Sequence, residues 1–252
     1  LPDKKTYFVS DVHLGAPALN NNRQREKLFV KWLDEAASDA EAFYLLGDIF
    51  DFWYEYRKVA PRGFVRTLGK IAEITDSGIP VHYFTGNHDV WIYDYLPDEI
   101  GIKLHREPVV KDIGGKTFFL GHGDGLDPNE TGYLLLKKLF TSKTAQFLFS
   151  RLHPNLAFHA GHLWARQSRL SKGTGPEISK GPEFESTVAF AKKYVRDHEV
   201  DFFVFGHRHI LMDESIQPGT RLLILGEWIN HFSYAEFDGE ELTLKKFNHN
   251  SL

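Results

Sequence analysis

Five short polar runs in this chain carry side chains that bind cations through nitrogen or oxygen: Asp11-Val12-His13, Gly47-Asp48, Gly86-Asn87-His88-Asp89, Gly121-His122-Gly123-Asp124 and Gly206-His207-Arg208-His209. Carboxylates, imidazoles and a carboxamide in this mixture suit two neighbouring divalent cations, which need a shared carboxylate, several neutral donors and open positions for water and substrate. The chain has no cysteine, so thiolate sites, cysteine nucleophiles and disulfides are excluded. An oxygen and nitrogen set accommodates Mn2+, Zn2+ or Fe2+. The chemistry open to such a pair is hydrolysis, because two cations acidify a water and offset charge on a phosphoryl group. Taken singly, each run also reads as an ordinary polar turn.

Something must bring the runs together. Each follows an apolar segment of strand character: "YFVS", "FYLL", "VHYFT", "FFL" and "FFVF". Ligands of open α/β sheets gather at the carboxyl ends of strands, so groups scattered from position 11 to position 209 are expected to converge. Amphipathic patterns at Leu28, Phe29, Trp32, Leu33 and Ala36, and at Phe64, Val65, Leu68, Ile71 and Ala72, predict crossover helices between parallel strands. The second half is richer in strands. "EPVVKDI" and "KTFFLG", joined at Gly114-Gly115, predict a hairpin, and "RLLILG", "FSYAEF" and "ELTLKKF" predict three further strands. The expected fold is α/β, an α+β sandwich of two mixed β-sheets packed face to face and flanked by helices, in one domain spanning 1–252.

Between about 128 and 182 the pattern changes to long helical stretches followed by "KGTGPEISKGPE". Residues 131–182 hold eight Lys or Arg and one acid, a net +7, which leaves −11 for the rest of a chain whose total is −4. This division predicts an inserted helical lid with one apolar and one basic side. Leu134, Leu135, Leu136, Leu139, Phe140, Phe147, Leu148 and Phe149 would line a slot for acyl chains. Arg166, Arg169 and Lys172 are candidate contacts to phosphate or sugar, since Arg pairs bidentately with phosphate oxygens, and Asp124 is a further candidate substrate contact. Trp53, Tyr54 and Trp91 read as packing. A basic amphipathic face suits an anionic membrane surface, whereas the net negative charge argues against nucleic acid as a partner. No apolar run approaches the ~20 residues of a membrane-spanning helix. "LPDKKTYFVS" has no signal-peptide core, and a start at Leu1 rather than Met leads us to expect residues upstream. The expected location is cytoplasmic.

The order D-x-H, G-D, G-N-H-D, G-H-G, G-H-x-H, running from Tyr7 to about Leu225, resembles that of the calcineurin-like metallophosphoesterases. The resemblance implies Asp11, His13, Asp48 and His209 around one metal, and Asp48, Asn87, His122 and His207 around the other, with Asp48 bridging. It implies that His88 stabilises the phosphorane or protonates the leaving oxygen, and Asp89 is expected either to orient that imidazole or to cap a helix. More narrowly, "GDIFDFW", "GHGDGLDPNETGY" and "GHRHILMDESIQPGTRLLILGEWINHFSYAEF" look similar to the UDP-2,3-diacylglucosamine pyrophosphohydrolases of lipid A biosynthesis. These cut an acylated UDP-sugar to UMP and 2,3-diacylglucosamine 1-phosphate at the inner face of the inner membrane. His88 departs from the pattern, since well-known members carry Arg there. The implied reaction is attack of a metal-bridging hydroxide, with Mn2+ as the expected metal. The alternative is a soluble metallophosphoesterase acting on nucleotides, other phosphodiesters or phosphoproteins. A non-catalytic scaffold is disfavoured because every ligand position is filled.

Overall fold

The computed structural model describes residues 4–17, 19, 21–127, 131–172 and 181–248; for 168–172 only the backbone is described. In chain order the elements are β1 (Lys5–Val9), α1 (Asn22–Ala37), β2 (Ala40–Leu45), α2 (Val65–Asp76), β3 (Val81–Phe84), α3 (Tyr95–Ile100), β4 (Lys103–His105), β5 (Val109–Ile113) and β6 (Lys116–Leu120). Three helices follow, α4 (Thr131–Thr141), α5 (Lys143–Phe149) and α6 (Pro154–Lys172). The chain then forms α7 (Ser186–Tyr194), β7 (Phe202–Phe205), β8 (Leu211–Gln217), β9 (Thr220–Leu225), β10 (Ser233–Phe237) and β11 (Leu242–Lys246).

Central strands that are apolar on both faces have no solvent-facing option and must lie between two layers. On β1, Phe8 enters a core between the sheets, while Tyr7 and Val9 pack with Phe29 and Trp32 of α1. On β7, Phe202 and Val204 face that same inner core, and Phe203 and Phe205 pack against Val188 and Ala191 of α7. The result is the expected pair of mixed sheets flanked by helices. One has the order β11-β10-β1-β2-β3-β4 and the other β5-β6-β7-β9-β8. Strands β1 to β4 are parallel, as are β6, β7 and β9. Their carboxyl ends carry the five polar runs. The β5–β6 hairpin closes at Gly114 and Gly115 with φ of 59° and 79°, as a two-residue turn with both centres left-handed requires.

One polar relay crosses between the sheets. His82 on β3 is 5% exposed and stacks on Tyr44 at 4.6 Å between ring centroids. Its Nδ1 lies 2.8 Å from His105 Nε2, and Lys111 Nζ on β5 lies 3.2 Å from its Nε2. Burial and the Lys111 charge push the His82 pKa down to about 3, against about 6.5 in an unfolded chain. As pH falls, the unfolded chain therefore takes up the proton first. Stability is full above about pH 6.5 and erodes from there toward pH 3, by up to about 1.4 kcal/mol per pH unit. Urea midpoints compared at pH 7 and pH 5 are expected to show this drop in the wild type and a shallower one in His82→Phe.

Helices α4 and α5 contain no fully buried residue. They are held to the sheets by an aromatic cluster in which Phe52, Tyr54 and Trp91 meet Phe140, Phe149 and Phe158. Tyr54 Oη donates to the Gln146 carbonyl (3.1 Å), Tyr56 Oη to that of Leu152 (3.2 Å) and Trp91 Nε1 to that of Phe140 (2.9 Å). Helix α6 packs closely at Gly161, where a Cβ would stand 2.3 Å from the Phe52 ring. Among the described residues no helix is long and apolar enough to cross a membrane.

Candidate active site

The strand ends turn sharply, and the backbone shows where. Seven described non-glycine residues have positive φ, and five of them are Asp11 (54°), His13 (47°), Asp48 (55°), His207 (66°) and His209 (52°). The left-handed region costs an L-residue about 1–2 kcal/mol, so a cluster of such residues marks a place where surrounding structure enforces the geometry. Here the loops are stitched to one another. Asp11 N donates to the Gly47 carbonyl (3.0 Å), His13 N to that of Asp48 (3.0 Å) and Trp228 N to that of Asp11 (3.1 Å). Arg25 of α1, fully buried, adds Nη1 to the Val12 carbonyl (3.3 Å) and Nη2 to that of His13 (2.9 Å).

These turns aim the side chains at one point. Each of the two central carboxylates gives one oxygen to a backbone N–H: Asp11 Oδ2 accepts from His207 N (2.9 Å) and Asp48 Oδ1 from His88 N (2.8 Å). The other oxygens face imidazoles. Asp11 Oδ1 is 3.2 Å from His209 Nε2 and 3.7 Å from His13 Nε2, and Asp48 Oδ2 is 3.4 Å from His122 Nε2 and 3.8 Å from His13 Nε2. His13 Nε2 and His209 Nε2 face each other at 3.0 Å. Two trios with metal-ligating spacing result, Asp11-His13-His209 and Asp11-Asp48-His122, and a third joins His13, Asp51 and His88. His207 packs its ring 5.1 Å from that of His122.

The residues fit a pair of divalent cations. Among the described residues Asn87 Oδ1, His122 Nε2 and Asp11 Oδ1 are buried without a hydrogen-bond partner, a cost that a bound cation would remove. Burial disfavours charge on Asp48, yet the imidazoles of His122 and His88 hold its carboxyl well below the usual range. Burial likewise opposes a proton on His122, but Asp48 outweighs it and pushes that imidazole up to about 10. Both shifts have one cause, ionised carboxylate facing imidazole at the centre of the cluster, and that carboxylate favours a positive charge beside it.

The far nitrogens of the rings are fixed by acceptors. His122 Nδ1 lies 2.7 Å from the Leu46 carbonyl and His88 Nδ1 2.8 Å from the Asp51 carbonyl, so each Nδ1 carries the proton. His13 Nδ1 lies 3.1 Å from Asp51 Oδ1. Such outer partners fix the tautomer and leave Nε2 free to ligate. Sequence reading does not find Asp51, although its position three residues after Asp48 is a usable signal. Asp51→Asn is expected to lose 10–100-fold in metal affinity or turnover, read by metal titration alongside kcat/KM, with the melting curve retained.

Other expectations need correction. Asp89 neither orients His88 nor caps a helix. Its carboxylate accepts from Ile49 N (2.9 Å), Phe50 N (3.4 Å), Gly86 N (2.7 Å) and Tyr83 Oη (2.6 Å), pinning two ligand loops together. Asp124, expected at the substrate, lines the cleft described next and is also tied to α4: Oδ2 accepts from Tyr133 Oη (2.5 Å) and pairs with Lys137 Nζ (2.7 Å). Arg208, not among the expected site residues, pairs with Glu185 at the wall of the same cleft, with Nε 2.7 Å from Oε2. Arg166 is exposed on α6 and does not line the cleft described next, and the side chains of Arg169 and Lys172 lie outside the described residues.

The cluster opens into a cleft of about 1020 Å3 bounded by Asn87 and His207 on one side and by Leu136, Lys137, Phe140 and Trp164 of the helical segment on the other. Trp164 lies over His88, with ring centroids 5.7 Å apart. His88 in turn meets His13 edge to face at 4.9 Å.

Known proteins are similar to this chain in sequence. A Porphyromonas gingivalis protein named UDP-2,3-diacylglucosamine hydrolase is 39% identical over 253 residues, covering 96% of this chain and 97% of that protein. A Stenotrophomonas maltophilia protein of the same name is 29% identical over 248 residues, covering 92% and 94%. The solved structure of Yfce, a phosphoesterase from E. coli, superposes with a TM-score of 0.48 at 16% identity, covering 98% of this chain and 95% of that one. A family model for calcineurin-like phosphoesterases matches residues 4–211, a span that contains all five polar runs. With that match and a relative at 39% identity, the chain belongs to the calcineurin-like phosphoesterase family and is a metal-dependent hydrolase.

Proposed function

We propose that this chain cleaves the diphosphate of UDP-2,3-diacylglucosamine, releasing UMP and 2,3-diacylglucosamine 1-phosphate. The observation that carries the reading is the far wall of the cleft, where Leu136, Phe140 and Trp164 stand beside Lys137 and opposite the ligand cluster. An acylated anion needs that combination of apolar surface and cation. The names of the curated relatives support the same substrate. Two divalent cations, Mn2+ ahead of Zn2+ or Fe2+, would when bound acidify a water and offset phosphoryl charge. Asp11, His13, Asp48 and His209 would hold one, and Asp48, Asn87, His122 and His207 the other.

The chain's own residues supply position and a proton relay. His88 keeps its Nδ1 proton on the Asp51 carbonyl and burial lowers its pKa, so Nε2 carries a lone pair: it would take a proton released by the attacking water and pass that proton to the departing oxygen. Trp164 keeps water from its ring. The segment from about 128 to 182, within one domain spanning 1–252, acts as a lid that Asp124 anchors through Tyr133 and Lys137. On the lid's outside lie Leu135, Leu139, Phe147, Leu148, Leu152, Leu156 and Leu163, seven of the twelve exposed large apolar side chains described. With exposed Lys138, Lys143, Arg151 and Arg166 around them, they suit docking on an anionic leaflet at the inner face of the inner membrane.

One experiment tests this reading. Mn2+-loaded protein is given the acylated donor in phosphatidylglycerol vesicles, UDP-glucose derivatives, or bis-p-nitrophenyl phosphate. UMP is expected to appear fastest from the acylated donor, with protein sedimenting on the vesicles. Rapid diester cleavage without any UMP from that donor would instead favour a soluble phosphodiesterase.

A further inference from the structure

Helix α6 roofs a second cavity, of about 540 Å3, a size usual for small-ligand sites. Phe158 and His162 of α6 wall this cavity, whereas Trp164 and Gln167 of the same helix wall the larger cleft. The small cavity lies beside the loops that carry His13 and Asp51, though neither residue lines it. Its lining includes Leu14 and Gly15, directly after His13, and Phe52, directly after Asp51. The larger cleft meets the cluster from the side of Asn87 and His207.

The small cavity also contains a buried acid. Glu26 of α1 lines it and is 7% exposed, and its Oε1 is buried without a hydrogen-bond partner among the described residues. A buried carboxylate oxygen lacking a donor is costly, so a donor from a ligand is the natural complement. Arg23 and Arg62, both exposed, add positive charge to the lining, and Phe52 and Phe64 add aromatic surface.

We infer that this cavity receives the nucleoside arm of the diphosphate while the acylated sugar occupies the larger cleft. The inference rests on the substrate reading above: cleavage at a phosphorus between two bulky arms requires room on two sides of the cluster. Glu26 accepts from the ribose hydroxyls, the role an acidic side chain takes in dinucleotide sites. Phe52 and Phe64 offer ring faces and edges to the base. Arg23 and Arg62 meet carbonyl or phosphate oxygens. The larger cleft, with Leu136, Phe140 and Trp164, keeps the more apolar arm.

The test measures binding of two probes, UMP and inorganic phosphate, to the Mn2+-loaded full chain by calorimetry. Glu26→Gln, which keeps the volume, and Glu26→Ala are each expected to weaken UMP roughly 10-fold or more, the worth of a hydrogen bond to a charged group. Phosphate affinity should hold. Unchanged UMP affinity in both variants, or an equal loss for phosphate, overturns the inference. So does loss of UMP binding when Leu136→Trp fills the larger cleft while the Glu26 variants bind normally. If the acylated donor is not cleaved but UMP still depends on Glu26, the substrate reading fails and the nucleoside cavity stands.

Discussion

Asp48→Asn is expected to lose metal and turnover together while the fold survives. The wild-type carboxylate accepts from His88 N through Oδ1 and presents Oδ2 to His122 and His13 at 3.4 and 3.8 Å. An asparagine keeps the volume and can still accept from His88 N, but it removes the negative charge around which the imidazoles are arranged and turns an NH2 toward them. Loss of a mere outer partner of a metal ligand costs 10–100-fold, so loss of a shared ligand should exceed about 10²-fold in kcat/KM. Metal content after dialysis, measured by mass spectrometry, separates this from a simple catalytic defect. Full metal retention would remove Asp48 from the ligand set.

A single methyl group should do comparable harm at Gly86. A Cβ there would lie 2.2 Å from Asp48 Oδ1 and 2.6 Å from Asp48 N. Neither atom can retreat, since the carboxylate is buried and the amide belongs to a strand end. Gly86→Ala must therefore displace Asp48 itself, and overpacking of this kind costs about 1–3 kcal/mol. A displacement near 1 Å at reacting groups can cost about 10²-fold in rate, and that is the loss expected here. Gly206→Ala repeats the experiment on Asp11, whose Oδ2 would stand 2.4 Å from the new Cβ. The control is Gly69→Ala in α2, where nothing lies within 4 Å; it should keep full activity and gain up to about 1 kcal/mol, the usual helical advantage of Ala over Gly. Equal losses in all three would mean that the glycines act through general stability alone.

The parts of this architecture legible in sequence are those governed by local pattern. Strands β1, β2, β3, β6 and β7 are short apolar runs with a polar stop, and the helical stripe of Leu28, Phe29, Trp32, Leu33 and Ala36 is buried as its period predicts. Strand β8 escapes because it is an edge strand: Asp213, Ser215 and Gln217 point outward, so its composition resembles a loop. Helix α7 is only nine residues long, and β4 only three. Partners distant in sequence are the other blind spot. Asp89 stands next to His88 in the chain but serves amides 39 and 40 residues away. Asp124 stands beside the His122 run but is tied to Tyr133 and Lys137. Adjacency in sequence suggests a chemical role for each; space gives Asp89 to holding the loops together, and ties Asp124 to α4 at the wall of the cleft it lines.

The left-handed backbone at Asp11, His13, Asp48, His207 and His209 sets this molecule against its own durability. Glycine would relax any of these five turns at little steric cost, and each such exchange would also delete a residue proposed to hold a cation. Selection for heat resistance alone would thus drift toward an inert polypeptide, and only a requirement for turnover keeps the chain in its tense form.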